Sequence, residues 1–382
     1  MQNDINGIFN AIFNAITMDC ETQEATLEFN RLSIAAQAGD RSLFQSLLEA
    51  ENCHNRRDDE PTLLIGAVMA GRLEVVRALI EAGADVNAKM TQLFTFDALS
   101  FAVDEGYTPI VKLLLDAGAD PNWNNHNPGL CPIRVACQKG YTSIVQLLLQ
   151  AGAAVKFGTG FRLLVDAAGE SNAEIVQLLI DAGCNVNTRE TGGDTPLVAA
   201  CKRAKLEIVN VLINAGANVN KTGMYNSAPI VSVFIAPKLN AVLEPSRLLA
   251  SLELNYLTPP KTDLPKQIEL IVKALLDAEA NPNVQDMLGK TPLMLAIEQQ
   301  NLNAINALIN ANANVNAIMQ PDFDSVFVRG MTIVCQTALH LAIATQNFDI
   351  INRLLDAGAN PNLSNSDNIT ALEFAKQRGL KL

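Results

Sequence analysis

The residues from which this chain could build a reaction centre are few: three histidines, seven cysteines and a handful of glycine-rich turns. His54, His126 and His340 stand far apart and at no metal-ligand spacing, so they form neither a ligand set nor an acid–base pair. Gly289-Lys290-Thr291 has the ending of a phosphate loop, whose backbone N–H groups and lysine would hold phosphates. The earlier glycine that such a loop requires is replaced by Val284. Gly158-Thr159-Gly160 lacks the third glycine and the preceding strand of a dinucleotide site. Asp322 and Asp324 offer two carboxylates to a cation, but such a loop pair ordinarily faces solvent. Neither a Gly-x-Ser-x-Gly turn nor a His-Glu-x-x-His helix occurs. These readings point away from catalysis: no catalytic, cofactor-binding or metal-binding residue is assigned, and no cofactor is expected.

Behind these scattered groups lies a repeated frame. Thr195-Pro196-Leu197-Val198-Ala199-Ala200 reads as a helix start. Thr195 is placed to cap, and Pro196 sits in the first turn, where its missing N–H costs nothing. Ile208, Val209, Leu212 and Ile213 recur at helical spacing and predict a second helix. Gly216 follows it, where a left-handed backbone ends a helix, in the stretch Ala215-Gly216-Ala217-Asn218-Val219-Asn220. Such a pair cannot bury its own apolar face and needs a copy on each side. The closing asparagine recurs as Asn87, Asn122, Asn187, Asn220, Asn283, Asn316 and Asn362, with a usual spacing of roughly 33 residues. Thr291-Pro292-Leu293-Met294-Leu295-Ala296 and Thr337-Ala338-Leu339-His340-Leu341-Ala342 repeat the start. Ala82-Gly83-Ala84-Asp85-Val86-Asn87 and Ala357-Gly358-Ala359-Asn360-Pro361-Asn362 repeat the end. In these motifs the chain resembles the ankyrin-repeat family over nearly everything after Asn30. The resemblance implies an all-α solenoid of stacked helix-turn-helix units with β-hairpin loop fingers, about nine repeats long and capped at both ends.

The chain is 49% hydrophobic and carries 28 Lys+Arg against 40 Asp+Glu, a formal charge of −12. An acidic balance argues against a phosphate-binding surface, so no nucleic-acid partner is expected. No stretch is long and apolar enough to span a membrane, and no basic region precedes the first apolar residues as in a signal peptide. Cys137 and Cys201 occupy a small-residue position of the start motif and read as buried thiols in a reducing compartment. A cytoplasmic monomer is the expectation. Asn-rich, Arg-poor ankyrin proteins of intracellular bacteria often act as secreted effectors, which would place the chain in a host cytosol.

Along the chain, residues 1–29 hold an apolar stripe, Ile8, Phe9, Ile12, Phe13 and Ile16, and read as an N-terminal capping helix. Repeats one to six occupy 30–227. The seventh, 228–290, is split by an insertion at about 238–266. Its first helix reads Ala228 to Phe234 and its second begins near Leu270. Glu279 stands where the closing glycine is expected. Repeats eight and nine fill 291–369, with Asn312 in place of a glycine and an extended hairpin at about 320–335. Residues 370–382 read as a C-terminal capping helix.

In ankyrin proteins the partner is usually held by the concave face, made of the fingers and the exposed side of each first helix. Carried over by position, the fingers hold Leu93, Phe94 and Phe96, then Trp123 and Leu130, then Met224 and Tyr225, then Met287 and Leu288, then Val326 and Phe327. Asp104, Glu105, Lys202 and Arg203 border them on first helices. Large apolar residues on successive loop tips mark partner surfaces. Phe157 and Phe161 instead read as packed against their shortened loop. The resemblance implies a non-enzymatic interaction scaffold. The alternative is an adaptor or inhibitor whose split seventh repeat and hairpin clamp a partner enzyme. The family also implies that loop asparagines such as Asn87, Asn187 and Asn220 can be hydroxylated, although their part in the turn already accounts for them.

Overall fold

The computed structural model describes residues 63–90, 96–122, 131–155, 162–189, 193–235, 263–321 and 334–382. The N-terminal cap, the first repeat, the helix read over Ser246 to Tyr256, and the tip of the 320–335 hairpin lie outside them. The chain divides into two compact units, 1–154 and 155–382.

In the first unit three helix pairs are described: α1 (Leu63–Met69) with α2 (Leu73–Glu81), α3 (Ala98–Asp104) with α4 (Thr108–Asp116), and α5 (Pro132–Lys139) with α6 (Thr142–Gln150). First helices pack on first helices and second on second, in two layers. The reason is the second helix's pattern. Val75, Val76 and Leu79 recur as Ile110, Val111 and Leu114 and as Ile144, Val145 and Leu148, all buried. Each trio forms an apolar stripe only one helix wide, so burial needs a neighbouring copy. Between pairs, Tyr107 lies against Gly71 and Tyr141 against Gly106, each ring filling space that a side chain on the glycine would take.

The second unit repeats the arrangement with α7 (Leu163–Glu170), α8 (Ala173–Asp181), α9 (Pro196–Lys202), α10 (Leu206–Asn214), α11 (Pro229–Ser232), α12 (Leu264–Asp277), α13 (Pro292–Glu298), α14 (Leu302–Asn310), α15 (Ala338–Thr345), α16 (Phe348–Asp356) and α17 (Ala371–Gln377). The threonines of the start motif act as caps: Val198 N–H donates to the Thr195 hydroxyl at 3.2 Å, and Thr291, Thr337 and Thr370 do the same for their helices. The split repeat departs from expectation at both helices. The first stops after Ser232 and tightens to a 3-10 turn over Val233–Ile235. Ser232 contributes to that stop by turning its hydroxyl onto the Ala228 carbonyl at 2.9 Å. The second starts at Leu264, capped by the Asp263 side chain, and runs 14 residues, so its first turn falls inside the stretch read as insertion.

Strand structure is slight. Among the described residues it amounts to one antiparallel pair, β1 (Lys89–Met90) with β2 (Phe96–Asp97), and single bridges at Ile318–Thr337 and Ser364–Thr370. Among the described residues, the loops between helix pairs are pinned by side chains more than by ladders.

Those pins form two series. In the loops that close on asparagine, its amide N–H donates to the side chain two residues earlier, as Asn87 does to Asp85 and Asn187 to Asn185, both at 2.9 Å. Its side chain then joins the next pair. Asn187 Nδ2 donates to the Gly216 carbonyl at 3.1 Å, and Oδ1 accepts from Asn218 N–H at 2.7 Å. Asn87, Asn122, Asn220 and Asn316 make the same two bonds. Across the insert, Asn220 keeps this geometry on the Glu279 carbonyl.

Glu279 holds the closing position at φ 65, whereas Gly216 holds its equivalent at φ 84. A left-handed non-glycine residue costs about 1–2 kcal/mol, partly offset because it restricts the unfolded chain. Glu279→Gly is expected to raise the unfolding free energy by about 0.5–1 kcal/mol. A urea titration with an unchanged or lower midpoint would refute this.

Candidate functional site

Of the residues expected on the partner face, Asp104, Glu105, Lys202, Arg203, Met224, Tyr225, Met287 and Leu288 are described. Leu93, Phe94, Trp123, Leu130, Phe157, Phe161, Val326 and Phe327 lie outside the described residues. Phe96 is placed by its backbone alone, in β2.

The first question is chemistry. The described acids and bases with clear shifts each have a structural task. Burial pushes the Asp97 carboxyl up, although it accepts Ser100 N–H at 2.7 Å as the cap of α3. Burial likewise raises Asp286, whose Oδ1 accepts the N–H groups of Leu288 and Lys290 and closes the turn beneath Met287 and Leu288. The buried Cys201 thiol is raised by burial and stays protonated. Gly289-Lys290-Thr291 is the end of that same turn, with Lys290 ion-paired to Glu298. Among the described residues no group of three or more His, Cys, Asp or Glu could hold a metal.

His340 is fully buried and bridges two loops. A carbonyl can only accept, so Nε2 carries the proton and donates to Ile369 O at 3.0 Å; Nδ1 then accepts from the Thr337 hydroxyl at 2.8 Å. Burial lowers its pKa, and the Ile369 carbonyl opposes this in part. With the folded pKa below the ordinary value of about 6.5, the unfolded chain binds the proton more readily. The stabilisation is complete above about pH 6.5 and is lost as pH falls through the folded pKa. An NMR titration of the His340 ring should give a midpoint below that of an unstructured histidine; a midpoint at or above it would contradict the assignment.

The second question is surface. In the first unit, Lys139 Nζ pairs with Asp104 Oδ1 at 2.7 Å and also reaches the Asp104 carbonyl, joining the ends of α5 and α3. Glu105, beside this pair, is exposed. In the second unit, Lys202 Nζ binds both oxygens of Asp194 at 2.8 and 3.0 Å. With 19% of its side chain accessible, Lys202 serves the loop more than a partner. Asp194 Oδ1 also accepts Met224 N–H at 2.9 Å. Arg189 donates to the carbonyls of Gly193 at 3.2 Å and Gly223 at 3.0 Å. Gly223 must be bare, since a Cβ there would lie 2.5 Å from Asp194 Oδ1 and 2.8 Å from Val198.

This knot holds the loop Gly223–Ser227, closed by Gly223 N–H to Ser227 O at 2.9 Å and Ser227 N–H to Met224 O at 3.2 Å. Its two central residues, Tyr225 and Asn226, both have left-handed backbone, φ 56 and φ 55. That is a type I′ turn, whose first central position suits Asn, Asp or Gly. Tyrosine there is strained, and the residue is 50% exposed. Met224 beside it, and Met287 and Leu288 on the other described finger, are half-buried.

Sequence reading missed Asp194, Arg189 and Lys221 as the parts that set this surface. One signal was present. Asp194 and Lys202 are eight residues apart, and Lys290 and Glu298 fill the same two positions with the charges exchanged. In both repeats the two positions are ion-paired.

A family model described as ankyrin repeats (3 copies) matches the chain over residues 32–125, 99–190, 133–223 and 266–365. No curated protein matches the chain.

Proposed function

Because the chain belongs to the ankyrin-repeat family, whose repeats generally mediate protein–protein interaction, we propose that it is a non-enzymatic scaffold binding a partner protein through its finger tips and first-helix ends. The observation that carries this reading is Tyr225, a half-exposed aromatic residue fixed in a strained, tightly pinned turn. Strain of that kind persists where the surrounding structure over-determines it, and it clusters at functional positions. Tyrosine brings contact area with little side-chain entropy to lose, and a rigid turn reduces the ordering cost of binding. In the first unit, Phe94, Phe96 and Trp123 are the sequence positions expected to bind the partner.

Tyr225→Asn and the combined Phe94, Phe96 and Trp123→Ala variant test this. Each should fold and lose partners that the unaltered full chain retains in affinity purification from a cell lysate. If both variants recover every such partner, the surface is misplaced.

A further inference from the structure

The stretch that pins Tyr225 is cationic within an acidic chain. Between Asn187 and Asn226 the sequence has Arg189, Lys202, Arg203, Lys205 and Lys221 against Glu190, Asp194 and Glu207, whereas the whole chain carries −12. What these cations touch matters more than their number. Lys221 Nζ donates to the Asn187 carbonyl at 2.7 Å, and Lys205 Nζ to the carbonyls of Glu170 and Ser171 at 3.1 and 2.8 Å. Arg189 is held by the carbonyls of Gly193 and Gly223. Carbonyls orient a cation without neutralising it. Among the described residues Lys202 alone of the five sits in an ion pair, on Asp194. Burial, and after it the Arg203 charge, push the Lys205 ammonium below its ordinary range, with Glu170 opposing them. Arg189 and Lys221 are thus locked beside Tyr225 by neutral carbonyls, and their charge remains available to an incoming anion.

We propose that this part of the surface, with Tyr225 at its tip, receives an acidic segment of the partner protein. Arg189 and Lys221, both fixed at this loop, supply the attraction, and the Tyr225 ring supplies contact area. The inference rests on the finger face being the partner site and adds the chemistry of what lands there. An acidic peptide is repelled by the chain as a whole, so its binding must be local and must weaken with salt.

The test uses the full chain and short labelled peptides followed by fluorescence anisotropy. A Glu/Gly peptide should bind and a Lys/Gly peptide of equal length should bind less tightly at this site. Lys221→Glu should weaken the acidic peptide by about tenfold or more. Tyr225→Asn should weaken it while raising the thermal midpoint, because asparagine suits the turn; lost binding then cannot be ascribed to misfolding. Lys112→Glu, an exposed charge of the first unit, should leave affinity unchanged. Absence of acidic-peptide binding, equal loss with Lys112→Glu, or equally tight binding of a short oligoribonucleotide would overturn the proposal. If the acidic peptide fails while Tyr225→Asn still abolishes partner capture, only the charge inference falls. If Tyr225→Asn leaves capture intact, the role of this turn falls with it.

Discussion

Replacing Gly289 with alanine is expected to destabilise the second unit by about 3–5 kcal/mol, among the largest losses a single methyl group can cause. Two costs coincide at this residue. Its φ is 75, in the region that side chains avoid. A Cβ there would also meet backbone: Gln320 N at 2.2 Å, Gln320 C at 2.4 Å and Pro321 N at 2.7 Å. Those atoms cannot swing aside. Met319 N–H is tied to Gln336 O at 3.1 Å, Ile318 bridges Thr337, and the Gln285 amide holds the Ile318 carbonyl at 3.2 Å. Gly216 provides the contrast. It has φ 84, but a Cβ there would meet nothing within 4 Å, so Gly216→Ala should cost only about 1 kcal/mol. Asn368 separates the two causes. It occupies the same turn position in a later loop at φ 60 and carries a side chain without harm. If backbone angle alone decided the matter, Gly289→Asn would be mild. Close approach predicts that it is as damaging as alanine. Urea unfolding of the three variants decides, and a mild Gly289→Asn would defeat the packing argument.

This contrast also shows what the sequence could and could not disclose. The helix pairs were legible because their signals are local. Thr195, Thr291 and Thr337 cap, Ile208 and Val209 face inward, and Gly216 closes, each within one or two turns of chain. The stacking followed because a single pair cannot bury its stripe. The requirement at Gly289 was not legible: the same glycine would be needed for its backbone angle alone, and the obstructing Gln320 belongs to the following loop. The split repeat was misjudged for a related reason. Apolar spacing marks Leu275 and Ile271 as second-helix positions, but the start at Leu264 depends on the Asp263 cap and on Asn301 reaching the Pro265 carbonyl at 2.9 Å. The partner face suffers most. Lys202 looks like a free recognition charge until its pairing with Asp194 is seen. Tyr225 looks like one apolar tip among several until its left-handed backbone is known.

Asn187→Asp is expected to destabilise the second unit by about 2–3 kcal/mol at neutral pH, more than an exposed polar residue ordinarily can. The asparagine is needed for both ends of its amide. Oδ1 accepts from Asn218 N–H at 2.7 Å, a bond that a carboxylate also makes. Nδ2 donates to Gly216 O at 3.1 Å, where a carboxylate has no proton and sets charge against a carbonyl oxygen. The loss is therefore one hydrogen bond plus a repulsion, at the junction between successive helix pairs. In a stack whose units are stable only through neighbours, a weakened junction is felt beyond its own loop. The pH dependence gives the decisive check. Once protonated, the introduced carboxyl can donate to Gly216 O, so its folded pKa is raised relative to the unfolded chain. Stability lost to the substitution is then recovered below the unfolded carboxyl pKa and disappears again as pH rises through the folded one. Asn187→Ala, which lacks both partners at every pH, should show no such recovery. Unfolding free energies measured across the acid range, each referred to the unaltered chain at the same pH, should converge for aspartate alone. If aspartate and alanine run parallel, the asparagine is a turn former and nothing more, and the cross-repeat bond contributes little.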